Sequence, residues 1–375
     1  MADATPTPVG RPGWARYRVI AYLLLGLLVL DVAVAVHRPV WLAYDPDEYR
    51  ERLDNCRRQP HDLLVVGGSP VAEGVDTAVL EGMPWHGRPL ERAYNLGLPG
   101  GTTTETWHAA RHGAVTPPRL LVYGVTASDL NDSRNEPEGP RYLMDAGDVA
   151  DWVRHRPRSA EWCLRQVFWD RLARCWQLGY YRNGIRLWAA DQVDHLCPGP
   201  FADAAAEARK GLRRSADLAR QHGYAPDPDT QARRLDRMKT AGNDLGPVFG
   251  FLKDYRLGEH LANLHRLLEW AGAQGTDVLL VDVPVSPDLE QRYPGEFRRY
   301  REALAATGRA HGVAVLYATR EAVGLSEEDF GDLIHLNATG AAKFSAWLKK
   351  KLTAEDAESA EKRREKKKET SGGEG

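Results

Sequence analysis

The chain has 375 residues, 43% of them hydrophobic and 27% charged, the balance of a folded globular protein; wholesale disorder, collagen and a polytopic membrane protein are excluded. Lys and Arg number 50 against 52 Asp and Glu, a formal net charge of −2, so no basic excess exists to neutralise a phosphate backbone and nucleic acid is not an expected partner. Four cysteines without a Cys-x-x-Cys pair fit neither a disulfide-dense scaffold nor a zinc module.

Residues 19–36, VIAYLLLGLLVLDVAVAV, are almost uninterrupted apolar sequence, about long enough to cross a hydrocarbon core as a helix, with Tyr17 and Trp41 flanking. They read as a single membrane anchor. Arg11, Arg16 and Arg18 precede the span, whereas Arg38 is followed by Asp45, Asp47 and Glu48. That bias places residues 1–18 in the cytoplasm and the rest outside the membrane, periplasmic or extracellular. Asp31 is the costly residue in the span, and an uncleaved signal or a poorly inserted helix are the competing readings.

Residues 37–60 follow as a polar juxtamembrane connector with helix-like spacing. The globular module is expected over 61–352. The run LLVVGG at 63–68 has the pattern of a strand buried on both faces of a parallel sheet, and similar runs recur at 92–96, 120–125, 278–285 and 313–317. Helical patterns at 104–112, 259–274 and 297–311 alternate with them. The alternation predicts a flavodoxin-like three-layer α/β sandwich with about five parallel strands.

Residues 140–256 interrupt the alternation with sequence rich in Trp, Arg and Ala, read as a helical insertion capping the active edge of the sheet. Trp152, Trp162, Trp169, Trp176 and Trp188 partly match one helical face, and core packing is favoured over a ligand-stacking platform. Cys163 and Cys175 flank an aromatic stretch; a disulfide in an oxidising compartment and free thiols both remain open, as they do for Cys56 and Cys197. The tail, 353–375, is charged low-complexity sequence, expected to be disordered or a frayed continuation of the last helix.

The first predicted strand ends in Gly67-Gly68-Ser69-Pro70, at the sheet edge where catalytic groups collect. Ser69 is there either a nucleophile or simply a turn and helix cap. Near the other end, Asp332-Leu333-Ile334-His335-Leu336-Asn337 precedes a helix-like run, 338–352, that Asn337 can cap, so Asp332 and His335 share one loop. A serine hydroxyl needs a base to take its proton, and a carboxylate can hold the imidazole in the useful tautomer. His108 and His112 are four apart but have no third ligand; they read as a surface pair, and no metal is proposed. The glycine-rich 95–101 segment lacks the Gly-x-Gly-x-x-Gly register and a phosphate-binding Lys, so no nucleotide cofactor is expected. Asp282 and Asp288 are weaker candidates for substrate contact at the same sheet edge.

Gly-Gly-Ser at the end of the first strand, Asn95-Leu96-Gly97 at the second, and Asp332-x-x-His335 followed by Leu336-Asn337 and Gly340 together resemble the SGNH (GDSL-like) hydrolase superfamily, over about 63–352 without the insertion. With its anchor and helical insert the chain is most similar to extracytoplasmic SGNH-like proteins of cell-envelope modification, among them the alginate O-acetylation proteins and the D-alanine transfer protein of teichoic-acid biosynthesis. The resemblance implies a serine-dependent O-acyl esterase or acyltransferase, acetyl foremost, acting on an envelope or exported polysaccharide without a cofactor. Its implied partners are an acylated carbohydrate or acyl donor, the membrane, and a membrane acyltransferase.

Residue by residue, the resemblance implies Ser69 as nucleophile, His335 as general base, Asp332 as its orienting acid, and the N–H groups of Ser69 and Gly97 as oxyanion donors. Two positions depart from the family pattern. Gly68 replaces the Asp of Gly-Asp-Ser, and the third strand ends Gly124-Val125-Thr126-Ala127 where Gly-x-Asn-Asp is usual. The side-chain oxyanion donor is therefore missing in register, with Thr126 and Asn131 the nearest substitutes. Losing one such donor slows catalysis on the order of a hundredfold or more. A catalytically inactive binding or assembly component is the alternative expectation.

Overall fold

The computed structural model describes residues 14–37, 40, 41, 44, 48–133, 146–155, 161, 164, 165, 167, 168, 172, 175–220, 222–224, 226–236 and 246–371. The chain divides into two compact units, one formed by Met1–Pro46 with Leu164–Leu212, the other by Asp47–Cys163 with Arg213–Gly375.

In the larger unit the strands are β1 (Leu63–Gly67), β2 (Pro84–Trp85), β3 (Arg88–Pro89), β4 (Ala93–Gly97), β5 (Leu120–Val125), β6 (Asp277–Asp282) and β7 (Ala314–Tyr317). β2 and β3 make a small antiparallel hairpin; the other five form one parallel sheet in the order β4-β1-β5-β6-β7. These are the five strands predicted from the apolar runs, with ends shifted by one to three residues. β6 is shortened most. Val283 still donates to Val125 O at 3.0 Å, but Pro284, which has no N–H, ends the ladder.

Every residue of β1, β4 and β5 is buried, as continuous Val/Leu runs require of a sheet covered on both faces. The helices Thr103–Gly113, Glu259–Ala273 and Pro294–His311 pack in a row, and the short helix Ser69–Gly74 packs with Ala338–Ser371, completing an α/β/α sandwich. From β1 the chain moves outward to β4 and then returns across β1 to β5. This reversal falls at β4, β1 and β5, and open α/β sheets form the crevice that binds ligands at the carboxyl ends of the strands at such a point.

The floor of that crevice is a row of glycines. Gly67 is in register with Gly97 on one side and Gly124 on the other. A Cβ on Gly97 would overlap the backbone N of Ala72 and lie 2.7 Å from its Cα; one on Gly124 would overlap Val71 and lie 2.9 Å from Val283 Cγ2. The helix carrying Ser69 therefore rests on bare backbone.

Several expectations are corrected. The connector is not a separate element: the helix Glu48–Cys56 belongs to the larger unit, which begins well before residue 61. Leu53 and Cys56 join the core, while Arg52, fully buried, pairs with Glu48 at 2.9 Å and donates to the carbonyls of Asn95 and Gly223. The 37–60 segment reads as polar because its one buried charge is fully satisfied. Burial pushes the Cys56 thiol up to about 12, leaving it unreactive at neutral pH.

The insertion, helical with no strand among its described residues, is not one cap either. Its Leu164–Leu212 portion clusters with the N-terminal segment, whereas the portions up to Cys163 and from Arg213 onward belong to the unit that holds the sheet. Trp188 meets Trp41 edge-on at 5.4 Å, but Trp176 is 55% exposed rather than core. Trp162, Trp169 and Cys163 lie outside the described residues, as does the side chain of Trp152; Cys175 and Cys197 are exposed free thiols. Of the two expectations for the tail, disorder or a continuation of the last helix, the described residues show helix. The last helix runs to Ser371, since Ala, Glu and Lys are strong helix formers, and Asp356 accepts from His86 N at 2.6 Å.

In the smaller unit, Tyr17–Val36 is one apolar helical stretch, mean hydropathy 2.7, long enough to cross a membrane.

Gly97→Ala should lower unfolding free energy in urea by about 1–3 kcal/mol, the typical consequence of overpacking. Gly272→Ala, on a helix with nothing within 4 Å of its Cβ position, should instead be neutral or stabilising by about 0.5–1 kcal/mol. Equal effects of the two substitutions would contradict the glycine floor.

Candidate active site

Ser69 opens the helix that follows β1, with Gly68 at the N-cap and Pro70 in the first turn, so the serine stands at the carboxyl end of β1. Asn95 fastens this helix from the side: its amide donates to Val71 O at 2.9 Å and Val75 O at 2.7 Å, and its Oδ1 accepts from Gly97 N at 2.8 Å.

The partner loop is equally constrained. Phe330 and Leu336, both fully buried, form an isolated bridge that closes it, and Asn337 caps the final helix by accepting from Thr339 N and Gly340 N, each at 3.1 Å. The Asn337 amide also donates to Glu328 O at 2.6 Å and Arg233 O at 3.2 Å, and Gly331 leaves no room for a Cβ against Thr230. The later part of the insertion thus buttresses the loop.

Within the loop, Asp332 Oδ1 accepts from the backbone N–H of Ile334 and His335 at 2.9 and 2.8 Å, leaving Oδ2 to accept from His335 Nδ1 at 2.7 Å. An ionised carboxylate can only accept, so Nδ1 carries the imidazole proton and the lone pair of Nε2 points outward. His335 Nε2 lies 2.8 Å from Ser69 Oγ, which donates to it. Two residues 266 apart in sequence thereby meet Asp332 in one hydrogen-bonded chain.

Burial lowers the His335 pKa, but the hydrogen bond and charge of Asp332, with the charges of Glu73 and Asp227, outweigh it and raise the pKa overall. Burial pushes Asp332 up, and its bonds to His335 and to the loop N–H groups pull it down further, holding it ionised. The two shifts have the directions of an ion pair that forms when His335 is protonated.

Glu73 had no place in the sequence reading. It lies one helical turn beyond Ser69, is 6% exposed, and its Oε2 is buried without a hydrogen-bond partner among the described residues. Burial raises its carboxyl pKa; His335 and Arg214 oppose the shift, and Asp332 and Asp227 reinforce it. The i, i+4 spacing from Ser69 was the available signal.

The oxyanion assignment of Gly97 is corrected. Its N–H is taken by Asn95 Oδ1, and its α-carbon lies under the serine helix. The paired register of the two strands ends at Gly67 and Gly97. The Leu98–Gly101 turn is the backbone beside the serine: Gly101 O is 3.3 Å from the Cβ position of Gly68, and Tyr49 Oη pins the turn through Pro99 O at 2.7 Å.

Neither substitute side-chain donor is available. Thr126 Oγ1 is bonded to Asp129 Oδ2 at 2.9 Å and Ser128 Oγ at 2.7 Å; Asn131 donates to Phe251 O at 3.1 Å and accepts from Arg256 N at 2.9 Å. Asp129 also explains the glycine at 68, because its Oδ1 lies 2.9 Å from where a Cβ would sit.

Of the weaker candidates, Asp282 is bound to Arg301 at 2.7 Å, and Asp288 lies in the first turn of a helix capped by Ser286. His108 is buried rather than a surface residue and stacks on His112, with ring planes 10° apart. No cluster of three metal-binding side chains occurs among the described residues.

No family model matches the sequence, and neither does any curated protein. Among solved structures, a lipase/acylhydrolase from Enterococcus faecalis is similar over 78% of this chain and 96% of its own, at 12% identity and a TM-score of 0.37. What Ser69 can do is decided by its neighbours in the chain.

Because a base must be neutral to accept the Ser69 proton, ester-cleaving activity should fall on acidification with a midpoint above 6.5, the ordinary histidine value. Asp332→Asn should move that midpoint down and reduce kcat by about 10⁴-fold, since Asn no longer holds the productive tautomer.

Glu73 should also affect stability. Its folded pKa exceeds the unfolded 4.5, so the folded state holds the extra proton and loses stability as pH rises through that window. Glu73→Gln should therefore raise Tm at pH 8 but not at pH 4, and shift the acid midpoint of kcat/KM downward. A lowered Tm at pH 8 would contradict this.

Proposed function

We propose that this chain is a serine-dependent O-acyl esterase or acyltransferase, acetyl foremost, working on an acylated carbohydrate of the cell envelope or an exported polysaccharide. The supporting observation is the Ser69 Oγ–His335 Nε2 distance of 2.8 Å, with Asp332 bonded to the far side of the ring.

Ser69 Oγ attacks the ester carbonyl as its proton passes to His335 Nε2, and Asp332 stabilises the imidazolium that results. Collapse of the tetrahedral species breaks the C–O bond, and His335 returns the proton to the departing alcohol. Water or a sugar hydroxyl then gives its proton to His335, attacks the acyl-Ser69 carbonyl and carries the acyl group away, with the proton returned to Ser69 Oγ. Transfer replaces hydrolysis where the acceptor excludes water. The backbone N–H of Ser69, at the start of its helix, is the donor this reading offers to the oxyanion.

The Tyr17–Val36 helix serves in this reading as a membrane anchor, with the larger unit outside the cytoplasm and within reach of envelope sugars. A membrane acyltransferase fits as the source of acyl groups.

The second reading, an inactive binding or assembly component, is favoured by the commitment of Thr126, Asn131 and Gly97 N–H to other bonds. A fluorophosphonate probe separates the two. The acyl-enzyme reading expects labelling of the wild type that is lost in Ser69→Ala and His335→Ala, with acetyl-ester hydrolysis falling on the order of 10³-fold or more in both. Folded wild type that resists the probe would sink the enzyme reading in favour of the binding component.

A further inference from the structure

A second concavity of the larger unit, about 660 Å³ in volume, lies at the carboxyl end of β7, the outermost strand of the sheet. Its walls come from the helices Pro287–Arg292 and Pro294–His311, from Tyr317 at the end of β7, and from Arg320. Gly67, Gly124, Val281 and Leu316 form one register row across β1, β5, β6 and β7, so Ser69 and Tyr317 both follow that row at the same edge of the sheet. Three strand spacings separate β1 from β7, roughly 14 Å.

The cleft is also tied to the loop that carries the imidazole. Ser286, which caps the helix Pro287–Arg292, donates its N–H to Leu333 O at 2.9 Å, and Leu333 lies between Asp332 and His335. Pro287, the next residue, lines the cleft.

The walls are chemically mixed. Carbon surface comes from Pro287, Pro294, Phe297, Ala305 and Tyr317, the last 38% exposed. Arg298, Arg301 and Arg320 supply guanidinium groups, and Glu290 and Glu302 supply carboxylates. Arg301 is held in place: it bonds to the buried Asp282 at 2.7 Å, donates to Glu290, and lies over the Phe297 ring at 5.8 Å. With Asp282 behind it, three guanidinium groups stand against three carboxylates, and formal charge cancels.

That balance selects among ligands. A charged ligand gains little, because each attraction is opposed by a like charge nearby. A hydrocarbon chain would strip water from guanidinium and carboxylate groups and return no hydrogen bonds. A pyranose ring suits both halves of the wall. Its C–H faces lie on proline and aromatic carbon, while its hydroxyls accept from arginine, which only donates, and donate to glutamate, which only accepts.

We infer that this cleft is a distal subsite for an uncharged sugar unit of the same chain whose acyl ester stands at Ser69. One ring does not reach both places, so the substrate is an extended neutral oligosaccharide or polysaccharide and not a single acylated sugar. The inference rests on the reading of Ser69 as an acyl-transferring nucleophile that works on carbohydrate, and adds the charge class and the length of that carbohydrate.

The test separates binding from turnover. Full-length Ser69→Ala protein in detergent is titrated calorimetrically with linear O-acetylated hexasaccharides of xylose, mannose and glucose, with the matching disaccharides, and with O-acetylated hexagalacturonate. At least one neutral hexasaccharide should bind on the order of tenfold more tightly than its disaccharide. Tyr317→Ala and Arg298→Ala, both at exposed positions, should weaken that advantage singly and remove it together, with Tm unchanged. No length advantage for any of the three sugars, tighter binding of hexagalacturonate, or an advantage that survives the combined variant would overturn the inference. Wild-type hydrolysis of para-nitrophenyl acetate reports on Ser69 separately. If that ester is cleaved while the length advantage is missing, only the subsite fails. If the advantage is present and lost in the variants while the ester is not cleaved, Ser69 fails as nucleophile and the cleft stands as a neutral-saccharide site.

Discussion

Three glycines in one register row, Gly97, Gly67 and Gly124, allow the helix that bears Ser69 to approach the sheet more closely than any side chain would permit. The rest of the crevice follows from that approach. With the helix seated on bare backbone, Asn95 on β4 can reach the carbonyls of Val71 and Val75, and the serine is held at the carboxyl end of β1, between β4 and β5. The loop from the far end of the chain then needs to deliver an imidazole to one defined point, and its own closure by Phe330 and Leu336 fixes where that point is. Small residues at the sheet edge therefore act on the geometry of the hydroxyl without touching it.

Charge burial in the larger unit follows two patterns. Arg52 and Asp282 are buried with charged partners, Glu48 and the half-buried Arg301, so their desolvation is offset and they hold the structure together. Around Ser69 the balance differs. Asp332 and His335 are matched to one another, but Glu73 is buried nearby with one oxygen lacking a partner. Stability alone would not retain such a carboxyl, and its charge acts on the imidazole that faces Ser69.

The places where sequence pattern misled share one cause. The helix Glu48–Cys56 reads as a solvated connector because Arg52 counts as polar, yet that guanidinium is enclosed by Glu48 and two backbone carbonyls. Residues 164–212 read as one insertion with the rest of 140–256, yet they cluster with the N-terminal segment in a unit of their own. Gly97 is an oxyanion donor by what the resemblance implies, yet its N–H faces Asn95. Hydropathy and spacing report which groups avoid water, and they are silent about which distant groups cover them.

The sequence by itself determined the parallel α/β class, the five strands, the apolar N-terminal helix, and the pairing of Asp332 with His335. Each is a local property: a continuous apolar run, a period, or a separation of three residues within one loop. Only the tertiary structure decided that Ser69 meets His335, that Glu73 shares their surroundings, that Asp129 fills the space above Gly68, and that Asp31 accepts from the backbone of Leu178. Those relations join residues scores to hundreds of positions apart or depend on how one side chain turns within a packed core. They emerge when burial and hydrogen-bond satisfaction are settled for the whole chain at once.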